Sequence, residues 1–248
     1  MYLLAMFLVF FAVGAYFLYP VLKVEPTCQD GRQNGSEIDV DCGGGCAKIC
    51  PLEVRPASVL WARAFQVIPG IYDVLGYIEN QNADAGVSKL LYRFKLYDEK
   101  NVLIAERDGK GYISPNQSFA IFEHQIETGE RVPKRVFLEF EDGYQWVKTD
   151  PHLTGILLSV ENKELTNASS SPRLSADIYN NSLIDIHNIE VAAIIRDAED
   201  NAIGVSQTLI GELPKKSSRT VYFTWLRPFE NEVARVEILP KFDPFANY

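Results

Sequence analysis

The chain has 248 residues and a formal net charge of −9, with 24 Lys and Arg against 33 Asp and Glu. It has no basic run and no basic–aromatic stripe, which excludes nucleic acid as an expected partner. The length suits two domains of about 100 residues each. An aromatic content of 12%, with recurring Val, Ile, Tyr and Phe, favours strands over helix bundles.

Residues 1–22 read MYLLAMFLVFFAVGAYFLYPVL and carry no charge. About 20 apolar residues cross a bilayer core as a helix. The stretch is therefore expected to be a single-pass transmembrane anchor, with Pro20 near its end and Tyr16 and Tyr19 at the interface. The rival reading is a cleaved signal peptide. No basic n-region opens the run, and no small-x-small cleavage site precedes Lys23. Lys23 taken alone would place the bulk of the chain inside. The cysteines just beyond it favour an oxidising compartment, and they decide the expectation: N-terminus inside, bulk extracytoplasmic, at a cell membrane.

Residues 23–51 hold all four cysteines, Cys28, Cys42, Cys46 and Cys50, and five oxygen donors, Asp30, Asn34, Glu37, Asp39 and Asp41. The segment is too small and polar to bury a core, so disulfides are expected to order it. Three pairings are possible, and the sequence does not choose among them. The donors sit on a loop made pliable by Gly31, Gly35 and Gly43 to Gly45, and such hard oxygens are what Ca2+ takes. Three readings stand: a disulfide knot with incidental acids, a knot that also binds Ca2+, and a four-cysteine zinc or iron–sulfur site. Zinc favours paired C-x(2–4)-C units. Here Cys42, Cys46 and Cys50 form one overlapping series with Cys28 far off, and the acids would have no role.

The pattern resembles a short module, C-x-D-G-x-x-N-x-x-E-x-D-x-D-C-G-G-x-C-x-x-C, recurrent in surface proteins of bacteria and archaea. Cys28, Asp30, Gly31, Asn34, Glu37, Asp39, Asp41, Cys42, Gly43, Gly44 and Cys46 match it, and the step from Cys46 to Cys50 is longer by one residue. The resemblance implies an extracytoplasmic linker or stalk, not a catalyst.

Beyond Pro51 the chain repeats. Asp98 and Asp197 are 99 positions apart, as are Pro115 and Pro214; Asn80 and Asn180 are 100 apart, as are Arg135 and Arg235. Two copies of one domain are expected, at 52–150 and 151–248. In the first, Tyr92, Phe94 and Leu96 alternate with Arg93 and Lys95, and Val136, Leu138 and Phe140 form another inward row. In the second, Val191, Ala193 and Ile195 alternate with Glu190 and Arg196, and Val221, Phe223 and Trp225 line up. Period-two rows with one wet face predict antiparallel β-sandwiches. Turn signals stand at Asp108-Gly109, Asp142-Gly143, Ser114-Pro115-Asn116 and Leu213-Pro214-Lys215. Lys163 to Pro172 reads as an exposed loop, and the proline-broken tail from Pro240 to Tyr248 either packs on the second domain or offers an edge to a partner.

Phe94, Leu96, Tyr97 and Asp98 spell the F-x-L-Y-D signature, and this stretch resembles the FxLYD domain, an immunoglobulin-like sandwich of bacterial and archaeal envelope proteins. Gly76 to Asn80 and Ile113 to Phe119 also look like that family. The second copy keeps only an aliphatic and Asp197, so it reads as a diverged sister. The resemblance implies binding or spacer modules without catalytic residues. Asp98 and Asp197 are expected to cap turns.

No catalytic constellation is present in the sequence. His124, His152 and His187 are isolated, and no G-x-S-x-G, P-loop or G-x-G-x-x-G occurs. Ser169 to Ser171 belong to a loop. Core packing is the default for Trp61, Trp146 and Trp225. The expectation is a non-enzymatic binding or structural protein of a prokaryotic envelope, with a protein partner, no evident small-molecule substrate and no cofactor besides Ca2+. The alternatives are an accessory subunit of a membrane-bound secretion, pilus or transport complex, and a cysteine-centred metal or redox protein.

Overall fold

The structure is a computed structural model that describes residues 27–150 and 158–246. The anchor expected at 1–22 lies outside the described residues, as does the join expected at Pro151. No helix among the described residues is long and apolar enough to cross a membrane. The described chain falls into two compact units, divided between Cys50 and Pro51. The first is the cysteine segment.

Among the described residues the second unit is all-β apart from one short 3₁₀ turn at Pro51–Glu53. Its strands are β1 (Ser58–Ile68), β2 (Ile71–Asn80), β3 (Ala85–Tyr97), β4 (Leu103–Ile113), β5 (Gln117–Glu127), β6 (Arg135–Phe140) and β7 (Trp146–Lys148), then β8 (Leu158–Thr166), β9 (Arg173–Asn180), β10 (Ile186–Arg196), β11 (Ala202–Leu213), β12 (Ser218–Thr224) and β13 (Arg235–Lys241). Four antiparallel sheets result. Sheet I is β1-β2-β5, and sheet II is β4-β3-β6 with β7 added to β3. Sheet III is β8-β9-β12, and sheet IV is β11-β10-β13. Sheets III and IV thus repeat the strand order of I and II.

The repeat extends to side chains. Asn80 is 1% exposed; its amide donates to the carbonyls of Ala85 and Ser114 at 2.9 and 2.8 Å, and its oxygen accepts from the Asn82 N–H. Asn180, also 1% exposed, donates to Ile184 and Leu213 and accepts from the Ser182 N–H. Each ties a strand end to two loops whose buried carbonyls would otherwise lack donors. Asp98 accepts from the N–H groups of Lys100 and Val102, and Asp197 from that of Asn201. Asn101 and Asp200 then turn the chain with φ of 59° and 63°, and Asn is among the few residues that tolerate that region. The expected capping role of both aspartates is visible in these bonds.

Alternation decides the faces in the first copy. Tyr92, Phe94 and Leu96 are buried. Arg93 and Lys95 point outward and pair with Asp108 and Glu139. In the second copy, Leu174, Ala176 and Ile178 of sheet III pack with Val191, Ala193 and Ile195 of sheet IV in one core, a sandwich-like arrangement.

Four expectations need correction. β10 has no wet face: Ala192 and Ile194 are buried as fully as Val191 and Ala193. They join a further core with Leu75, Ala120 and Phe122 of sheet I, so sheets I and IV pack against each other. Asp108-Gly109 is no turn but lies inside β4. Gly109 pairs with Tyr92, and a Cβ there would stand 2.3 Å from the Tyr92 ring, so the glycine makes room for an aromatic. Lys163 to Thr166 belong to β8 and only the rest of that stretch is a turn. The tail packs on the first copy as well: the Ser114 hydroxyl donates to the Phe242 carbonyl, and the Phe245 ring lies against Gly86.

Candidate functional site

Cys28 is bonded to Cys46 and Cys42 to Cys50, so the two covalent loops interleave. No cysteine is free, and no thiolate is left to ligate zinc or iron. Cys42, Cys46 and Cys50 are the buried centre of the segment, joined by Ile49. In the chain-entropy treatment, closing a loop of this length stabilises by about 3 kcal/mol. A core of four small side chains could not replace that.

The five oxygen donors sit around the same loops, and the four acids among them hold backbone N–H groups. Asp30 accepts from the Arg32 N–H at 2.9 Å and from the Asn34 amide at 2.8 Å. That amide bond first, against some desolvation, holds the Asp30 carboxyl below its usual range. Glu37 accepts from the Asn34 N–H at 3.0 Å, and Asp39 from the Val40 N–H at 2.7 Å. Both oxygens of Asp41 reach the Gly31 N–H, at 3.1 and 3.0 Å. Gly31, Gly35, Gly43 and Gly44 all adopt positive φ, which explains the glycine content of these turns.

The acids cap turns, and among the described residues no three of their carboxylates come within 4.8 Å of one another. Among the described residues, the group with three ligand-type atoms within 4.8 Å of one another is Glu37 with Cys28 and Cys46, and both sulfurs are in a disulfide. One atom stands apart: Asn34 Oδ1 is buried and accepts no hydrogen bond.

The remaining sequence candidates are scattered. The His124 ring packs at a tilt against Phe122, with ring centres 4.6 Å apart, and lies 4.0 Å from Asp73. His187 opens β10 opposite Glu212, and His152 lies outside the described residues. Ser169 to Ser171 stand in the exposed β8–β9 turn. Trp146 is buried, Trp61 stacks on Tyr77 at 5.4 Å, and the Trp225 N–H donates to the Val205 carbonyl.

Sequence reasoning missed the charged residues of the seam between the copies. Arg196 is 7% exposed. Its guanidinium lies 5.6 Å from the ring centres of both Trp61 and Tyr77 and bonds Glu237 at 2.9 Å. Tyr77 donates to Glu237 at 2.8 Å, and burial, followed by that carboxylate, raises its pKa. Lys241, 4% exposed, sits over the Tyr112 ring at 4.0 Å. The available signal was the nearly unbroken apolar run ahead of Arg196, which is the pattern of a strand buried on both faces.

No family model and no curated protein matches the chain. Among solved structures it is similar to red sea bream transglutaminase, at 9% identity and a TM-score of 0.24 over 75% of this chain and 29% of that one. It is similar to a glycoside hydrolase family 2 β-glucuronidase, at 10% identity and a TM-score of 0.25 over 88% and 29%. The tandem CBM22 domains of Paenibacillus barcinonensis Xyn10C align at 9% identity and a TM-score of 0.23, over 73% and 74%. The chain spans under a third of the first two proteins. Superpositions this loose carry no argument about activity or partners.

Proposed function

We propose that this is a membrane-anchored, extracytoplasmic, non-enzymatic protein of a prokaryotic cell envelope. The apolar stretch at 1–22 holds it in the membrane, the knot at 23–51 links it outward, and two immunoglobulin-like sandwiches of the FxLYD kind present a rigid surface to a protein partner. The observation that carries this reading is the pair of disulfides, Cys28–Cys46 and Cys42–Cys50, immediately after a stretch long enough to span a bilayer. Disulfides persist in oxidising compartments, and the segment has no other means of ordering itself. The repeated strand order and the inward Phe94 and Leu96 support the sandwich assignment.

The test is a pair of fusions at the C-terminus of the full chain in a bacterial host. An active alkaline phosphatase fusion with a dark green fluorescent protein fusion is the expected result. The reverse pattern would put the bulk of the chain in the cytoplasm and overturn the reading.

A second reading adds Ca2+ to the knot. The single observation favouring it is the buried, unbonded Asn34 Oδ1, an acceptor a hard cation would take. Asp30, Glu37 and Asp41 would turn lone pairs not used by their N–H bonds toward the ion. Saturable binding of radiolabelled Ca2+ by the full chain, lost in Asn34→Leu, supports this reading, whereas absence of binding at millimolar Ca2+ would sink it.

A further inference from the structure

Sheets I and IV do not close along their whole width. A cleft of about 360 Å³ opens where β4 and β5 face β10, β11 and β13. Ile121, Phe122 and Leu209 give it apolar walls, and Lys110, Glu190 and Lys241 give it charge. That volume is on the scale of a small-molecule site.

Lys241 is the unusual member. It is more than nine-tenths buried. Its ammonium faces the rings of Tyr112 and Phe119 at 4.0 and 5.0 Å. The carboxylate that approaches it, Glu190, stays at 3.8 Å, outside hydrogen-bond reach. Aromatic faces attract the charge but satisfy no N–H. An ammonium has three donors, and among the described residues none of these meets an acceptor. A charge this little exposed, left with only the water of the cleft to hydrate it, is costly. Desolvation accordingly pushes the Lys241 pKa down, against the pull of Glu190 and Asp243. An acceptor oxygen delivered through the cleft would remove that cost.

We propose that the cleft binds a monocarboxylate, with its oxygens on Lys241 and its apolar body against Ile121, Phe122 and Leu209. Charge selects the class. Lys110 and Lys241 stand against Glu190 on the lining, with Asp243 beyond it also acting on Lys241, a balance that suits a monoanion better than a dianion. A phosphate dianion would carry a surplus charge toward Glu190. The carboxylate could belong to a free small acid or to the C-terminus of a peptide. This inference is independent of where the chain sits in the cell.

The experiment is equilibrium dialysis of radiolabelled benzoate against the full-length protein in detergent. Saturable binding is expected, weakened about tenfold or more by Lys241→Met, which keeps the stem and removes the charge. Lys110→Ala, at an exposed rim position, weakens it about threefold. It supplies a readout should Lys241→Met fail its melting-curve check. Acetate should displace benzoate and phosphate should not. Displacement by a short peptide with a free C-terminus, but not by its amide, assigns the peptide source; no displacement by either assigns a free acid. Absence of saturable binding, equal binding by wild type and both variants, or displacement by phosphate as effective as by acetate would overturn the proposal.

Discussion

Arg93, Lys95 and Tyr97 on β3 occupy the same places in the repeat as Ala192, Ile194 and Arg196 on β10, 99 positions later. The strands share a topology and an inward row, yet their outer faces differ. On sheet II the face meets water, and Arg93 and Lys95 pair with Asp108 and Glu139. On sheet IV the same face is buried, Ala192 at 3% and Ile194 at 0% exposure. Sheets I and III differ in the opposite sense. Leu75, Tyr77, Ala120 and Phe122 line the buried face of sheet I, and their counterparts 100 positions on are Ser175, Asp177, Thr220 and Tyr222. There Asp177 accepts from Asn162 and Thr220. A few outward residues therefore decide which sheets join, while the inward rows keep both copies folded. The stacking joins unlike faces, I to IV, and such heterologous contacts can repeat without closing. Charge on sheet II and polarity on sheet III disfavour a further contact of this kind.

The largest effect is expected from rewriting the joined face to match the open one. Ile194→Lys puts an unpaired ammonium among apolar side chains and should cost about 4 kcal/mol or more in urea denaturation. Arg196→Ala comes next. It strips Glu237 of a buried partner and should cost about 3 kcal/mol, with Glu237→Gln in the same chain restoring part of the loss. Asn80→Ala and Asn180→Ala leave equivalent carbonyls without donors. Each should cost about 2 kcal/mol, and a difference between them would show that the copies are less alike than their bonds suggest.

Asp197 gives a smaller, pH-dependent effect. Bonds from Asn231 first, then from the Asn201 backbone and side chain, hold its carboxyl below its usual range. Its contribution is then complete above the unfolded carboxyl's pKa and lost as pH falls through the lower folded value. Asp197→Asn should differ most from wild type near neutrality and converge with it in acid, as followed by melting temperature against pH. The smallest effect on stability is expected from Lys95→Ile on the open face. The melting temperature should barely move, but sedimentation should reveal association if charge is what ends the stack.

Much of this arrangement was legible in the sequence because it is local. The Asp98/Asp197 and Asn80/Asn180 spacings mark turns and strand ends whose bonds lie within one copy. The existence of disulfides followed from a segment too polar to fold otherwise. Their pairing did not, because Cys42, Cys46 and Cys50 are close enough in sequence for every connectivity to be reachable. Ala192 and Ile194 carried a signal, an apolar run without alternation, but period-two reading of Val191, Ala193 and Ile195 hid it. Gly109 misled because Asp-Gly is a turn pair wherever no aromatic across the ladder needs the space that Tyr92 takes.

Because sheets I and IV share a core, the strands of both copies should unfold as one body. Scanning calorimetry of the full chain tests it most directly, since the disulfide segment has almost no core to melt. One transition is expected, with calorimetric and van't Hoff enthalpies that agree, resolving into two in Ile194→Lys. Two separate transitions in the wild-type protein would contradict it.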